Sequence, residues 1–520
     1  MCWKSPRTST NFPVTPIVRL SYVSSLGGEV VVVASTRTRR LRTTAGMLAV
    51  ALVAALSPAA AGPVTASAAA ARPAALWEAS LQGRHGTSPD VTVRMIARVS
   101  TAGSQIRVRL GNPFGDAPVR VREAWAGRTI APGVATLVPG SNHRLRFRGA
   151  TAVTIPAGGQ VMSDPVGLTV QANQDVAVSL YAPGSPINDH TFPPFPYDPP
   201  ASYINTGGNT ARDESTVSFP MYPVIPGNTA STATGYHPGQ TWWLDLVVSD
   251  RPAARGTLVT LGDSITDGYE AVGPPGQRWT DVLADRLNAV PPAQRLAVAN
   301  AGISGNTVSV QPNPYDPTGQ CCGPPAPQRL NRDVLSVPGV RAVMLLEGTN
   351  DLGGGANAPP ASAEQVIGAM RTIVARVHAR GLPIVGATIL PMCLPAGSAQ
   401  EQARLAVNQW LRTSGTFDAV LDFDAVLRDP AEPTQMIPDL RHDCYHPNAA
   451  GDALLGSFIP LWVFGVPVQG HPGAAPGKPV VIGPAGLSAA VRSGPVSEVG
   501  QGPGGESHVA EGHSATLAGR

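Results

Sequence analysis

The chain has 520 residues, 43% of them hydrophobic and 14% charged, with a formal net charge of +3. That composition supports packed cores and excludes global disorder, and the length predicts about two to four domains at roughly 150 residues each. The near-neutral balance offers no basic field for nucleic acid.

In chain order, the first feature is an export-type leader. Arg37, Arg39, Arg40 and Arg42 form a basic run, Met47 to Leu56 an apolar one, and Ala59-Ala60-Ala61 and Ala66-Ser67-Ala68 are candidate cleavage sites. The apolar run falls well short of the about 20 residues that a bilayer span needs. The expectation is a leader over residues 1–70 with a signal peptide at about 37–68, and a secreted protein without stable membrane insertion once it is cleaved. Residues 1–36 in front of it fit no export signal.

From 76 to 250, short runs of alternating apolar and polar residues are separated by Gly, Pro, Asn and Asp. Gln105 to Leu110 puts Ile106, Val108 and Leu110 on one face and arginines on the other, and His143 to Arg148 repeats the pattern. Val91 to Val99, Val166 to Val170, Val176 to Tyr181 and Trp242 to Val248 are further candidate strands. Period-two alternation at this spacing predicts an all-β sandwich of jelly-roll type. The proline-rich stretch from His190 to Asn205 reads as a long surface loop, and its aromatic residues from Phe192 to Tyr203 suit stacking on sugar rings.

From 255 to 466 strands alternate with helices. Strands are expected at Gly256 to Gly262, Arg295 to Asn300, Arg341 to Glu347, Leu382 to Leu390 and Ala419 to Phe423. Helices are expected at Arg278 to Val290, Glu364 to Arg380, Gln400 to Thr413 and Asn448 to Val463. In the second of these Val366, Met370, Ile373, Val374 and Val377 share one face. Alternation of this kind, with nearly continuous apolar strands, predicts an α/β fold with a five-stranded parallel sheet covered on both faces. Ligands of such sheets bind beyond the carboxyl ends of the strands. Residues 467–520 are rich in Gly, Pro, Ser and Ala without periodicity and read as a disordered tail.

Four polar clusters fall at those strand ends: Gly262-Asp263-Ser264-Ile265-Thr266, Asn300 to Asn306, Gly348-Thr349-Asn350-Asp351, and a loop with two D-x-x-H patterns, Asp439 to His442 and Asp443 to His446. Singly, each is ordinary turn chemistry. Together they hold what acyl transfer needs. A serine hydroxyl becomes nucleophilic when a base takes its proton, histidine suits that task, and an acid fixes the imidazole tautomer. Backbone N–H groups and an asparagine amide can then bind the oxyanion. Of the two D-x-x-H patterns the second is favoured, because Pro447 restricts His446 to extended backbone and Asn448 suits an N-cap for the helix that follows.

These four blocks resemble the signature blocks of the SGNH (GDSL-type) esterases and lipases, over roughly 255–463. The resemblance implies a flavodoxin-like sheet, serine-ester hydrolysis, and neither cofactor nor metal. By position it assigns Ser264 as nucleophile, Asp443 and His446 as the rest of a triad, and Ser264, Gly305 and Asn350 as the oxyanion donors. The stretch Ser104 to Gly115 is similar to the N-terminal region of secreted bacterial two-domain members. The expected partner is a small-molecule or polysaccharide ester, either acetylated carbohydrate or lipid ester. The alternative is a carbohydrate-binding or adhesive surface protein with a non-catalytic SGNH domain.

Without Cys2 four cysteines remain, which allow three pairings. Cys393–Cys444 is the expected disulfide, since both follow predicted strand ends near the candidate site; Cys321 and Cys322 are adjacent. No C-x-x-C or H-E-x-x-H spacing supports a zinc site.

Overall fold

The computed structural model describes residues 72–191, 202–219, 240–269, 277–309, 322–353, 359–467 and 480–484. The expected signal peptide lies outside these residues, as do Phe192, Phe195, Tyr197 and Cys321. Among the described residues, no helix is long and apolar enough to cross a membrane.

Between Ala74 and Pro252 the alternating runs form antiparallel sheets. One has the order Ala74–Glu78, Leu244–Pro252, Gly103–Gly111, Val166–Val170, with Gln160–Met162 also paired to Gly103–Gly111. The second runs Ser202–Asn205, Thr92–Arg98, Asp175–Tyr181, Glu123–Arg128, His143–Arg144. Ile106, Val108 and Leu110 of the first sheet share a buried core with Val93, Met95, Val176 and Val178 of the second, which makes the pair a sandwich. A third, smaller sheet orders Gln240–Trp242, Pro186–Thr191 and Gly83–Thr87.

The stretch expected to be a surface loop is therefore partly sheet: His190 and Thr191 end one strand and Ser202–Asn205 forms another. Tyr203 is 3% exposed and its hydroxyl donates to the Gly133 carbonyl, so it is not available to stack on a sugar. The strand-like run from His143 to Arg148 shrinks to His143–Arg144, because the backbone turns at Arg148 and Gly149, both with positive φ (53° and 83°).

The second half folds around six parallel strands in the order Ala297–Gly302, Thr257–Gly262, Val340–Leu346, Ile384–Ala387, Ala419–Leu421, Val480–Ile482. The first five follow the flavodoxin-like order of chain positions, 2-1-3-4-5. Helices Trp279–Asn288 and Ala449–Phe458 bury their apolar residues on one face. Ala363–His378 and Ala399–Thr413 do so on the other. The sixth strand corrects the expectation of a disordered tail over 467–520 at Val480–Ile482; residues 468–479 and 485–520 lie outside the described ones. Val480, Val481 and Ile482 are β-branched residues that suit an edge strand, and Ile482 accepts a hydrogen bond from Asp422 N at 2.9 Å. An unforeseen short helix, Phe423–Leu427, follows the fifth strand, and the closing helix stops at Phe458.

The two modules are joined through a buried face. Strands Ala74–Glu78 and Leu244–Pro252 turn Ala75, Leu246 and Val248 away from the sandwich core and into one cluster with Val259, Leu261, Ala299, Val343 and Leu345 of the parallel sheet. Thr257 Oγ1 accepts a hydrogen bond from Ala75 N at 2.9 Å and donates to Pro338 O at 2.8 Å. Arg109, expected on an outward face, is only 5% exposed. Its Nε donates to both Asp245 oxygens, at 2.9 and 3.0 Å, and its Nη1 to Ser336 Oγ at 3.3 Å.

A shared core predicts shared melting. Leu246→Ala should cost about 2–5 kcal/mol and shift one cooperative calorimetric transition for the whole described fold. Two transitions, with only the first-half one displaced, would contradict this.

Candidate functional site

The first parallel strand, Thr257–Gly262, is buried throughout. At its end Asp263 is extended (φ −92°), and its side chain accepts the Ile265 N–H at 3.0 Å. That cap starts the short helix Ser264–Asp267, which Gly268 closes at φ 105°. The turn needs glycine at 262: a Cβ there would lie 2.1 Å from Thr266 Oγ1 and 2.7 Å from Leu346 O.

The second D-x-x-H pattern comes to this corner from the far end of the module. His446 Nε2 lies 2.9 Å from Ser264 Oγ. His446 Nδ1 lies 2.9 and 3.0 Å from the two Asp443 oxygens. Asp443 Oδ1 also accepts the N–H groups of Tyr445 and His446, both at 2.7 Å. The loop is held on each side: Cys444 is disulfide-bonded to Cys393 (Cα–Cα 5.2 Å), and Asn448 Oδ1 caps the closing helix by accepting from Ala450 N and Gly451 N at 3.0 Å each. Asp439 and His442 are exposed. Both join this loop through backbone atoms: His442 N donates to His446 O at 2.9 Å and Asp439 O accepts from Asn448 Nδ2 at 2.9 Å.

The remaining predicted residues stand at the neighbouring strand ends. Gly305 has φ 78° in a turn closed by the Asn306 N–H to Ile303 O bond of 3.0 Å. Asn350 lies in the short helix Thr349–Gly353 after the third strand, and its Nδ2 donates to Asn306 O at 2.8 Å. Ser264, Gly305 and Asn350 thus follow the carboxyl ends of the first, second and third strands, and the switch point of this topology lies between the first and third.

Three supporting residues carry no motif and were not foreseen. Tyr269 stacks on the His446 ring at a centroid distance of 4.2 Å and a tilt of 32°. Arg329, 1% exposed, donates to Gly262 O at 3.0 Å, Ala301 O at 2.7 Å and Asn306 Oδ1 at 2.9 Å, tying the ends of the first two strands together. Asp267 Oδ2 accepts from Ser304 N at 3.1 Å and Ser304 Oγ at 2.7 Å. The residue types alone mark none of these contacts, because each is made by the fold rather than by local spacing.

Electrostatics separates the carboxyl groups. Burial would raise Asp443, but the hydrogen bond and charge of His446 and the N–H groups of Tyr445 and His446 outweigh it and hold the carboxyl down at about 2. Burial pushes Asp263 up to about 6, against the Ile265 N–H and His446. Burial and then the neighbouring Asp263 carboxyl raise Glu347 well above the usual range, although Arg329 Nη2 lies 3.6 Å away.

The signs give a pH profile. Asp443 binds its proton more weakly when folded, so its contribution to stability is present above about pH 4 and lost as pH falls through about 2. Asp263 binds its proton more tightly when folded, so its contribution is present at low pH and lost as pH rises through about 6, and Glu347 acts in the same direction. Glu347→Gln should therefore raise the melting midpoint by a few degrees at pH 8 and by much less at pH 5. An equal shift at both pH values would contradict a raised Glu347.

Residues 260–454 match the family described as GDSL-like lipase/acylhydrolase. No curated protein matches the chain. Among solved structures, the chain is similar to a G-D-S-L family lipolytic protein of Desulfitobacterium hafniense DCB-2 at 22% identity, covering 39% of this chain and 95% of that one with a TM-score of 0.29. A carbohydrate esterase family 2 enzyme with a carbohydrate-binding domain, from Corynascus thermopiles (Myceliophthora fergusii), aligns at 14% identity over 74% of this chain and 96% of that one, with a TM-score of 0.31. An acetylxylan esterase from Geobacillus stearothermophilus aligns at 23% identity over 39% and 90%, with a TM-score of 0.29.

Proposed function

Residues 260–454 of this chain form a GDSL-like lipase/acylhydrolase domain, a carboxylic-ester hydrolase, and from that premise we propose a secreted serine esterase that works through an acyl-enzyme. The observation that carries this reading is the unbroken line from Ser264 Oγ through His446 to Asp443, with contacts of 2.9 Å on each side of the imidazole.

In this scheme Ser264 Oγ attacks the ester carbonyl carbon while its proton passes to His446 Nε2. Asp443, a carboxylate at neutral pH, holds the Nδ1–H and stabilises the imidazolium. The N–H groups of Ser264 and Gly305 and the Asn350 amide receive the oxyanion. Collapse breaks the bond to the alcohol, which leaves with the proton from Nε2. Water, deprotonated by His446, then attacks the acyl-enzyme and releases the carboxylic acid and Ser264.

Export is supported by the leader pattern in the sequence and by the Cys393–Cys444 disulfide, since such bonds persist in oxidising compartments. Two substrate classes suit the proposed chemistry, acetylated carbohydrate and lipid ester. Release of acetate from acetylated xylan, measured beside an acyl-chain-length series, separates them.

Mixing with p-nitrophenyl acetate should give a burst of p-nitrophenol close to one per chain. Ser264→Ala should abolish it, and Asp443→Asn should lower kcat by about 10²–10⁴. A Ser264→Ala protein with full activity would overturn the assignment.

A further inference from the structure

The sandwich module reaches the candidate-site corner through the side chain of His190. His190 lies on the strand Pro186–Thr191 and is 1% exposed. Its Nδ1 is 2.8 Å from Ser80 O within its own module. A carbonyl only accepts, so Nδ1 carries a hydrogen. Its Nε2 is 3.2 Å from Asp267 Oδ1, three residues past Ser264 in the hydrolase module. The other oxygen of Asp267 holds both the N–H and the hydroxyl of Ser304, the residue before Gly305.

We propose that His190 is a positioning residue for catalysis: through Asp267 it fixes the Ser304–Gly305 turn, and so makes the sandwich module part of the oxyanion-binding apparatus. This inference rests on the reading of Gly305 as an oxyanion donor.

Burial makes the link demanding. Asp267 is 2% exposed, and a buried carboxylate is stable only when it is paired and hydrogen-bonded. Ser304 supplies two donors to Oδ2, and Oδ1 and His190 Nε2 share one hydrogen at 3.2 Å. Without His190, Asp267 Oδ1 must admit water or turn away, and either weakens its hold on Ser304. The second strand offers no slack to absorb such a change, because a Cβ at Gly302 would lie 2.3 Å from Asp267 N. Movement falls instead on the turn after it.

The strand that carries His190 is well anchored. Gln82 N donates to Asp189 O and Trp243 N to Asn188 O, both at 2.7 Å. Asn188 Nδ2 donates to Asn112 Oδ1 at 2.8 Å. A separate bond from Arg332 Nη2 to Leu81 O at 2.7 Å keeps the modules docked when His190 is changed. The contact from the sandwich is thus rigid on its own side, which is what a positioning group requires.

The test uses the full chain and steady-state hydrolysis of p-nitrophenyl acetate. Loss of an oxyanion donor costs about 10²–10³ in kcat, so its displacement in His190→Ala should cost about 10- to 100-fold in kcat with KM within about twofold. Glutamine places its amide where Nε2 stood and asparagine where Nδ1 stood. His190→Gln should therefore recover most of the loss, while His190→Asn should resemble His190→Ala. Ser304→Ala should lower kcat in the same way, and His190→Ala/Ser304→Ala should be no worse than the poorer single variant, since both cut one chain of contacts. Wild-type kcat in His190→Ala, equal activity in the glutamine and asparagine variants, or additive losses in the double variant would each overturn the proposal. If His190→Ala does not fold, the contrast between glutamine and asparagine and the Ser304→Ala result decide it. Asn350→Ala tests the underlying reading separately: wild-type kcat there would remove the oxyanion assignment itself, whereas a large loss there with an unaffected His190→Ala would sink this inference alone.

Discussion

The contact of 2.9 Å between Ser264 Oγ and His446 Nε2 joins residues 182 positions apart, and the surrounding structure can be understood as what keeps that distance. On the serine side, a fully buried strand ends in a capped turn that only glycine at 262 permits. On the histidine side, a disulfide, a proline and an asparagine cap hold a short loop against the start of the last helix. Tyr269 covers the imidazole face. Neither side would place its group alone, because a serine hydroxyl without a positioned base is a poor nucleophile.

The same logic extends across the junction between modules. The outer face of the strands Ala74–Glu78 and Leu244–Pro252 supplies apolar residues to the hydrolase core, and charged groups such as Arg109 and Asp245 are buried there as a pair. Removing one partner of such a pair is far more costly than the pair's net contribution. The sandwich is therefore a structural extension of the sheet that carries the proposed active site, and at His190 that extension meets the corner of Ser264 and Asp267.

Much of this was legible in the sequence where periodicity and turn chemistry are local. Ile106, Val108 and Leu110 declare a buried face by alternation, and the four polar blocks declare strand ends by their Gly, Asn and Asp. Alternation does not say what covers the other face, which is why Arg109 reads as exposed but is buried against the second module. A three-residue strand such as Val480–Ile482 is too short to register against a Gly- and Pro-rich background. The His190–Asp267 contact spans 77 positions and two modules, so no spacing rule could reveal it. Tyr203 shows the reverse error: an aromatic in a proline-rich stretch suggests a binding surface, yet its neighbours in the fold bury it.

The most direct measurement is covalent labelling of the intact protein by a fluorophosphonate, followed by peptide mapping. A single adduct is expected on the Oγ of Ser264, formed much more slowly when His446 is replaced by alanine and not at all in Ser264→Ala. An adduct on another residue, or labelling that persists in Ser264→Ala, would contradict it.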